Sequence, residues 1–338
     1  MFFYPFNKKN RNMIKQVFIF LGFLATIVVS CNKQDSLLPN ITGKAGEVVV
    51  VIDDNEWNSN PGNSLQTILN QHHVALPQPE PIFDLIRIPH KAFSSIFKSH
   101  RNIIIVEKGN GFEKPAIIVK KNVWASPQLF INIVAKTSQE LNDLIEKNEG
   151  LIVRYIEEAE RERIIENYKK YEDLKIRKDL EKKYNLALNI PKGYKLDTDT
   201  NNFVWISHET PLISQGIFVY SYEYSDTSMF SLDSLINKRN KYLKHYVSGP
   251  APNSYMTTER DFPISYKEFM KDSMYIAEIR GLWKLEGDFM GGPFISFSTA
   301  DTKRNRIVTV ECYVYAPKYD KRNYLRQVEG ILYTLKIK

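Results

Sequence analysis

Residues 154–183 read RYIEEAERERIIENYKKYEDLKIRKDLEKK, a run in which acidic and basic side chains alternate. Alternating charges at this density are typical of a solvated helix with ion pairs four residues apart. Upstream, Thr137 and Glu140 have the spacing of a helix capping box, and apolar residues mark one helical face from there onward. The pattern predicts a long charged helix over residues 137–184, with Gly150 as a point of interruption. We expect this helix to connect two domains; a docking helix for a partner protein is the alternative.

The sequence on both sides of this helix mixes strand patterns with helix patterns. Residues 46–54 read GEVVVVIDD, and a β-branched run between turn residues predicts a buried strand. Further strands and helices follow, so we predict an N-terminal α+β domain over residues 46–136. Residues 185–338 carry a series of strand patterns, an amphipathic helix over residues 232–246 and a last strand over residues 331–337. This order predicts an antiparallel sheet flanked by helices, and the fold class is α+β with two mixed α/β domains linked by the helix.

The composition and net charge exclude some classes of function for this protein. The 338 residues include 46 Lys and Arg against 39 Asp and Glu, a formal charge of +7. Four of the basic residues and none of the acidic ones lie in residues 1–30, so the rest of the chain carries 42 basic and 39 acidic residues, a charge of +3. That excess is too small to indicate a nucleic-acid partner. No apolar run reaches the ~20 residues of a membrane-spanning helix.

The N-terminus has the pattern of an export signal. Residues 17–29 read VFIFLGFLATIVV and follow a basic stretch, as in a signal peptide. The next residues, Ser30 and Cys31, complete a run that resembles the bacterial lipobox. That resemblance implies cleavage before Cys31 and acylation of its sulfur, which would hold the protein on lipid. We therefore predict a signal peptide over residues 1–30 and a lipidated tether over residues 31–45; a retained N-terminal anchor is the alternative, and Met13 is a second candidate start.

Several longer runs resemble an uncharacterised lipoprotein family of the Bacteroidetes, which is filed as a domain of unknown function. This resemblance implies a bacterial clade and a cellular compartment for the protein, but it implies no enzymatic reaction. Separately, the chain from residue 186 onward resembles PsbP-like domains, because it has the motif IPKGY near its start and a helix followed by a strand at its end. This resemblance implies an α/β/α sandwich. The runs that carry the first resemblance are residues 43–48, 77–81, 97–104, 253–258, 280–283, 288–294 and 315–327.

The family resemblance bears on where the protein is located. The predicted tether of this chain carries only one acidic residue, Asp35. Lipoproteins of this clade that reach the cell surface have a cluster of acidic residues just after the acylated cysteine. We therefore expect the periplasmic face of the outer membrane rather than the cell surface. An Asp-Ser-apolar triplet makes Ser36 a candidate for the O-glycosylation of this clade. The remaining cysteine, Cys312, lies in a strand pattern, where a lone thiol is most often buried, so we expect no intramolecular disulfide.

Motifs that carry chemistry are missing from the sequence. The six histidines form no zinc-binding pattern, and no nucleophile elbow, Walker loop or dinucleotide-binding motif occurs. We therefore predict no catalytic residue, no metal site and no cofactor; a hydrolase assembled from distant residues is an alternative. Gly291, Gly292 and Pro293 predict a tight turn before a strand, with an anion-binding nest as the alternative.

The candidate binding residues are aromatic and basic. Residues 318–326 read KYDKRNYLR and combine cations with aromatic rings at the start of a helix, where cations are locally unfavourable. Arginine and aromatic side chains anchor protein interfaces. In the alternative interpretation Asp320 caps the helix and the basic side chains face water. The candidate partner contacts are Trp124, Arg280, Trp283, Tyr319, Arg322 and Arg326.

Together these patterns predict an outer-membrane lipoprotein without enzymatic activity. We expect it to contact membrane lipid through acylated Cys31 and to act as a binding or accessory subunit of an envelope protein complex, such as one for outer-membrane protein assembly or export. The first alternative is a lipoprotein that binds a small ligand or glycan in a tyrosine-lined groove of the C-terminal sheet. The second alternative is an uncharacterised hydrolase.

Overall fold

The structure is a computed structural model that describes residues 37–338. The predicted signal peptide, the lipidation site Cys31 and the glycosylation candidate Ser36 lie outside the described residues. Within the described residues, no helix is long and apolar enough to cross a membrane. The second half of the predicted tether belongs to the folded body, because Asn40 pairs with Ser126 and Thr42 pairs with His100 in single β-bridges. The folded body therefore begins near Pro39, earlier than predicted.

A five-stranded mixed sheet, the N-terminal sheet, forms from the first part of the body. Its strand order is β2-β1-β3-β5-β4, parallel except for the edge strand β4. All four valines of residues 48–51 are buried, since helices cover one face and a short aromatic segment covers the other. Its elements are β1 (Glu47–Val51), α1 (Asp54–Trp57), α2 (Asn60–Leu69), β2 (Asp84–Ile88), α3 (Ser95–Lys98), β3 (Asn102–Lys108), β4 (Ala116–Lys121) and β5 (Leu129–Ala135).

Three helices stand where one long charged helix was predicted. They are α4 (Ser138–Lys147), α5 (Glu149–Lys170) and α6 (Leu174–Tyr184). The capping box of Thr137 and Glu140 is confirmed. The first break falls at Asn148, which leaves the helical region of backbone space, and Gly150 lies inside α5. The second break precedes Asp173, whose side chain accepts hydrogen bonds from two backbone N–H groups and starts α6 afresh.

The C-terminal sheet has eight antiparallel strands with helices on both faces. Its order is β10-β12-β13-β14-β9-β8-β7, and β11 pairs with the first half of β12. This arrangement confirms the predicted antiparallel sheet flanked by helices. Helix α7 (Leu232–Tyr246) packs on one face, over Tyr220 and Tyr222, and α8 (Arg322–Leu332) packs with α6 on the other. The strands are β7 (Lys195–Asp199), β8 (Phe203–Glu209), β9 (Ser214–Glu223), β10 (Tyr255–Glu259), β11 (Ser265–Lys271), β12 (Met274–Glu286), β13 (Gly291–Asp301) and β14 (Arg306–Tyr315).

Two local predictions for this sheet are wrong. The predicted last strand over residues 331–337 is mostly helix and turn, and only β15 (Lys336–Ile337) pairs, with β6 (Leu186–Ala187). The predicted turn at Gly291, Gly292 and Pro293 is instead the start of β13. A Cβ on Gly292 would lie 2.1 Å from the Val314 carbonyl oxygen, so this glycine permits close backbone approach rather than a turn.

Candidate functional site

A cavity of about 350 Å³, the central cavity, lies between the two sheets. Helix α5 forms one wall, and helix α8 with the edge hairpin of β11 and β12 forms the opposite one. The segment at residues 71–74, which follows α2, and Ile82 close the side toward the N-terminal sheet. The α5 wall is one helical face, because its residues recur at helical spacing. They are Val153, Glu157, Glu160, Arg161 and Ile164.

An ion-paired arginine forms the floor of the central cavity. Arg280 Nε donates to Glu278 Oε1 at 2.7 Å, and its Nη2 donates to Glu329 Oε1 at 2.6 Å. Burial would raise the pKa of Glu329, but the Arg280 guanidinium lowers that pKa to about 2. The same two carboxylates raise the pKa of Arg280 against the effect of its burial. Arg280 and Glu329 therefore stay charged, and the hydrogen bonds to Glu278 and Glu329 hold the guanidinium in place.

The α5 wall presents two charges that have no partner. Glu157 and Arg161 are four residues apart, yet among residues 37–338 neither side chain takes part in a hydrogen bond or an ion pair. The Arg161 guanidinium lies instead over the Tyr333 ring, 3.7 Å from its centroid. Burial, and then the negative charge of Glu329, raises the pKa of Glu157. Both side chains are half-buried at the cavity surface, where their polar groups are free to meet a ligand.

His73 adds a neutral acceptor to the same cavity. Its Nδ1 lies 2.9 Å from the Val74 carbonyl oxygen, and a carbonyl only accepts, so Nδ1 carries the proton and Nε2 is the acceptor. Burial, followed by the positive charges of Arg280 and Arg326, lowers the pKa of His73 to about 4. The ring is therefore uncharged near neutral pH.

The lowered pKa of His73 predicts a loss of stability in weak acid. Lowering the pH from about 7.5 to about 5 should cost about 1 to 2 kcal/mol through this residue. The unfolded pKa of 6.5 lies above the folded value of about 4, so the unfolded chain binds more protons between the two, and stability falls as pH drops through this range. Urea unfolding at both pH values measures the loss. His73→Gln should remove it, and His72→Gln, at the exposed neighbour, should not; equal losses in wild type and His73→Gln would contradict the assignment.

A buried carboxylate fixes α5 against the N-terminal sheet. Glu160 accepts hydrogen bonds from Arg101 Nε at 2.8 Å and Nη2 at 2.7 Å, from Asn102 Nδ2 at 2.7 Å and from Arg163 Nη1 at 2.9 Å. Because these four bonds use both oxygens, Glu160 positions the wall and has little capacity left for a ligand.

The start of α8 is bound by the N-terminal part of the same chain. The Glu80 carboxylate accepts from the backbone N–H groups of Lys321 at 2.7 Å and Arg322 at 2.8 Å. Arg322 also donates to Asp84 Oδ2 at 2.6 Å, and Arg326 Nη2 donates to the Ile82 carbonyl oxygen at 2.6 Å. This contact joins the two sheets and closes the cavity behind α8.

Most of the predicted partner contacts have internal contacts among residues 37–338. Arg322 and Arg326 are only 6% and 8% exposed, because they bind the N-terminal part of this chain. Arg280 is held between two carboxylates in the cavity floor. Trp283 is buried and donates to the Val314 carbonyl oxygen at 3.2 Å. Of these residues, the structure brings Arg280 and Arg326 together in the central cavity.

The two remaining candidates lie apart from that cavity. Trp124 is half-buried and packs edge-on against Phe93 and Phe130, with centroid distances of 5.6 Å and 5.2 Å. Tyr319 is 45% exposed, so its side chain is available at the surface. The sequence patterns identified residue types suited to interfaces, but they did not show that most of the contacts are internal.

An aromatic groove does occur at one end of the C-terminal sheet. It has a volume of about 320 Å³ and is lined by Trp205, Trp283, Tyr313 and Tyr315. Its hydroxyl groups are partly committed, since Tyr313 accepts from Trp205 Nε1 at 3.1 Å. Over residues 37–338, no group of three or more His, Cys, Asp or Glu side chains is placed to hold a metal ion.

Two family models match the chain, and they divide it near the end of α5. Residues 41–169 match a domain of unknown function (DUF8532), and residues 173–334 match another domain of unknown function (DUF4837). No curated protein matches the chain. The likeness to both families agrees with the predicted resemblance to a domain of unknown function.

Three solved structures align with parts of the chain at low sequence identity. The Ran-binding protein Mog1p of Saccharomyces cerevisiae aligns with a TM-score of 0.28 and 10% identity over 45% of this chain and 90% of that one. A Bacteroides thetaiotaomicron protein has a TM-score of 0.21 and 11% identity, over 46% and 45% of the two chains. The lipid transfer and protein localization domain of human StarD13 has a TM-score of 0.23 and 12% identity, over 47% and 88%.

Proposed function

We propose that this protein is a lipid-anchored lipoprotein of the outer membrane that acts by binding, and that its binding site is the central cavity. The supporting observation is the α5 wall, where Glu157 and Arg161 carry opposite charges without a partner among the described residues. The same cavity is lined by the neutral His73 and by Tyr333. A concave site with a few uncommitted polar groups is the usual form of a small-molecule site.

Binding explains the cavity better than hydrolysis does. The pKa of Glu157 is raised and that of Glu329 is lowered, a division that enzymes use for a general acid and a base. Glu329 is nevertheless held by Arg280, so it is poorly suited to accept a proton. Cys312 is fully buried and burial raises its pKa, so its thiol is not a nucleophile. The ionisable groups of the floor therefore orient a ligand rather than transform it.

Contact with an envelope protein complex is the second candidate function. The turn between β12 and β13 carries Phe289, whose side chain is fully exposed, and Tyr319 is also at the surface. Exposed aromatic side chains favour a protein interface. We place this role second because Arg280, Trp283, Arg322 and Arg326, the other strong anchors predicted, are used within the chain.

The anchor is tested by replacing the acylated cysteine. We expect Cys31→Ala to move the protein from the outer-membrane fraction to the soluble fraction, because the acyl chains supply the membrane affinity. Mass spectrometry should find lipid on Cys31 of the mature wild-type protein, and Cys312→Ala should fractionate as wild type does. A wild-type protein that is unmodified and soluble would contradict the proposal.

The cavity is tested by analysing what the protein retains during purification. Full-length protein is extracted from its membranes and denatured, and the released small molecules are identified by liquid chromatography and mass spectrometry. We expect a polar molecule from the wild type that is depleted in a Glu157→Gln, Arg161→Met variant. The matched control, Arg154→Met with Glu158→Gln, changes an exposed pair on the same helix and should retain it. Equal retention by both variants would place binding outside the cavity.

A further inference from the structure

We infer that the ligand of the central cavity is a small zwitterion, an amino acid or short peptide whose ammonium group binds Glu157 and whose carboxylate binds Arg161. This inference rests on the proposed function, since it names the ligand class of the same cavity. It depends on how the charges of the cavity are arranged.

The first step is the separation of Glu157 from Arg161. An acid four residues before a base is the favourable order for an ion pair on a helix. Even a base four residues before an acid, the less favourable order, forms an ion pair on the exposed side of α5, where Arg154 Nε lies 3.9 Å from Glu158 Oε1. In the cavity the Arg161 guanidinium stacks on Tyr333 instead. Stacking fixes the plane of the guanidinium and leaves its N–H edge open to a planar carboxylate.

The second step is the charge balance of the walls. Arg280 lies between Glu278 and Glu329, which together exceed its charge by one. Arg326 is the next cation of the cavity: burial and then Arg322 lower its pKa, and Glu157, followed by Glu160 and Glu329, opposes that shift. Glu160 is bound by Arg101 and Arg163. On the α5 wall, Glu157 and Arg161 are an acid and a base with no hydrogen-bond or ion-pair partner among residues 37–338; the other cations at the cavity with an uncommitted donor are Arg326, whose Nη1 is buried without a partner, and Lys267.

That balance selects the ligand class. A purely anionic ligand would bring a like charge against the half-buried Glu157, and a purely cationic ligand would bring one against the half-buried Arg161, each at a cost in free energy. A zwitterion can place its ammonium group against Glu157 and its carboxylate against Arg161. The neutral His73 supplies a further acceptor for an ammonium group. A volume of about 350 Å³ is at the small end of ligand pockets, about 300 to 1,000 Å³, which suits an amino acid or dipeptide.

The test uses isothermal titration calorimetry on the full-length mature protein. The probes are the common amino acids and alanyl-alanine, each followed by its N-acetyl derivative, which lacks the ammonium group, and its amide, which lacks the carboxylate. We expect at least one zwitterion to bind, and both of its derivatives to bind about tenfold more weakly or worse, since each loses a charged hydrogen bond.

Variants assign the two contacts. Glu157→Gln should weaken binding of the zwitterion about tenfold and leave binding of the N-acetyl derivative, which has no ammonium group, unchanged. Arg161→Met should weaken binding of the zwitterion to a similar extent and leave binding of the amide, which has no carboxylate, unchanged. Arg154→Met and Glu158→Gln are the exposed controls and should bind as wild type does. Unfolding midpoints are measured for every variant, so that loss of fold is separated from loss of binding.

The outcomes separate this inference from the proposed function. If the molecule released from the membrane-extracted protein lacks one of the two charges, or if the N-acetyl derivative binds as tightly as its parent, the ligand class is wrong and the cavity remains a binding site. If no probe binds, the ligand class is overturned. If in addition no molecule is released from the purified protein, the proposed function is overturned as well.

Discussion

Replacing Arg239 with methionine is expected to lower the free energy of unfolding by about 3 to 5 kcal/mol, the cost of breaking a buried ion pair from one side. Arg239 donates from Nε and Nη2 to Glu311 at 2.8 Å and 2.7 Å, and from Nη1 to Thr258 at 2.8 Å. Both charged side chains are almost completely buried between α7 and the C-terminal sheet. Methionine fills similar volume but leaves the Glu311 carboxylate without its partner. Guanidinium-induced unfolding followed by circular dichroism measures the change.

A double variant is the matched control for Arg239. Arg239→Met with Glu311→Leu removes both charges and should recover most of the lost stability, because the desolvation cost disappears with the pair. If Arg239→Met alone cost less than about 1 kcal/mol, the value of an exposed pair, the buried ion pair would not have the role assigned to it.

Replacing Glu160 with leucine should have an effect of similar size, about 3 to 5 kcal/mol. Its carboxylate is the common acceptor for Arg101, Asn102 and Arg163. Burial, and then the charge of Arg101, already lowers the pKa of Arg163 to about 10 while Glu160 opposes the shift. Without Glu160 the two guanidinium groups repel each other in a buried position. Because this cluster holds α5, ligand binding in the central cavity should weaken in parallel.

The neighbouring Glu162 provides the control for Glu160. Glu162 lies on the same helix as Glu160 and pairs with Lys121 of β4 at 2.6 Å, but both side chains of this pair are exposed. Glu162→Leu should change stability by less than about 1 kcal/mol. Equal effects of the two substitutions, measured by the same guanidinium unfolding, would show that the position of Glu160 inside the fold is not what makes it important.

Local patterns in the sequence predicted much of the architecture. The valines of residues 48–51 predicted a strand because β-branched side chains suit a buried sheet, and the helix over residues 232–246 has the predicted bounds. The prediction of a single helix over residues 137–184 is wrong because Asn148 and Asp173 are good helix-end residues. The helical periodicity on both sides of these two residues hid their effect.

The candidate site could not be predicted, since it depends on contacts between distant residues. Cations at the start of α8 were locally unfavourable, and the structure resolves this conflict with Glu80 and Asp84, about 240 positions earlier in the chain. Glu157 and Glu158 are adjacent and chemically identical in the sequence. Only the fold turns the first into a cavity wall and leaves the second exposed.

A crystal structure of the protein purified from its own membranes, with no ligand added, tests the central claim most directly. The proposed function predicts electron density for a small polar molecule in the central cavity, in contact with Glu157 and Arg161. A cavity that holds only water, with these two side chains paired to each other, would contradict it.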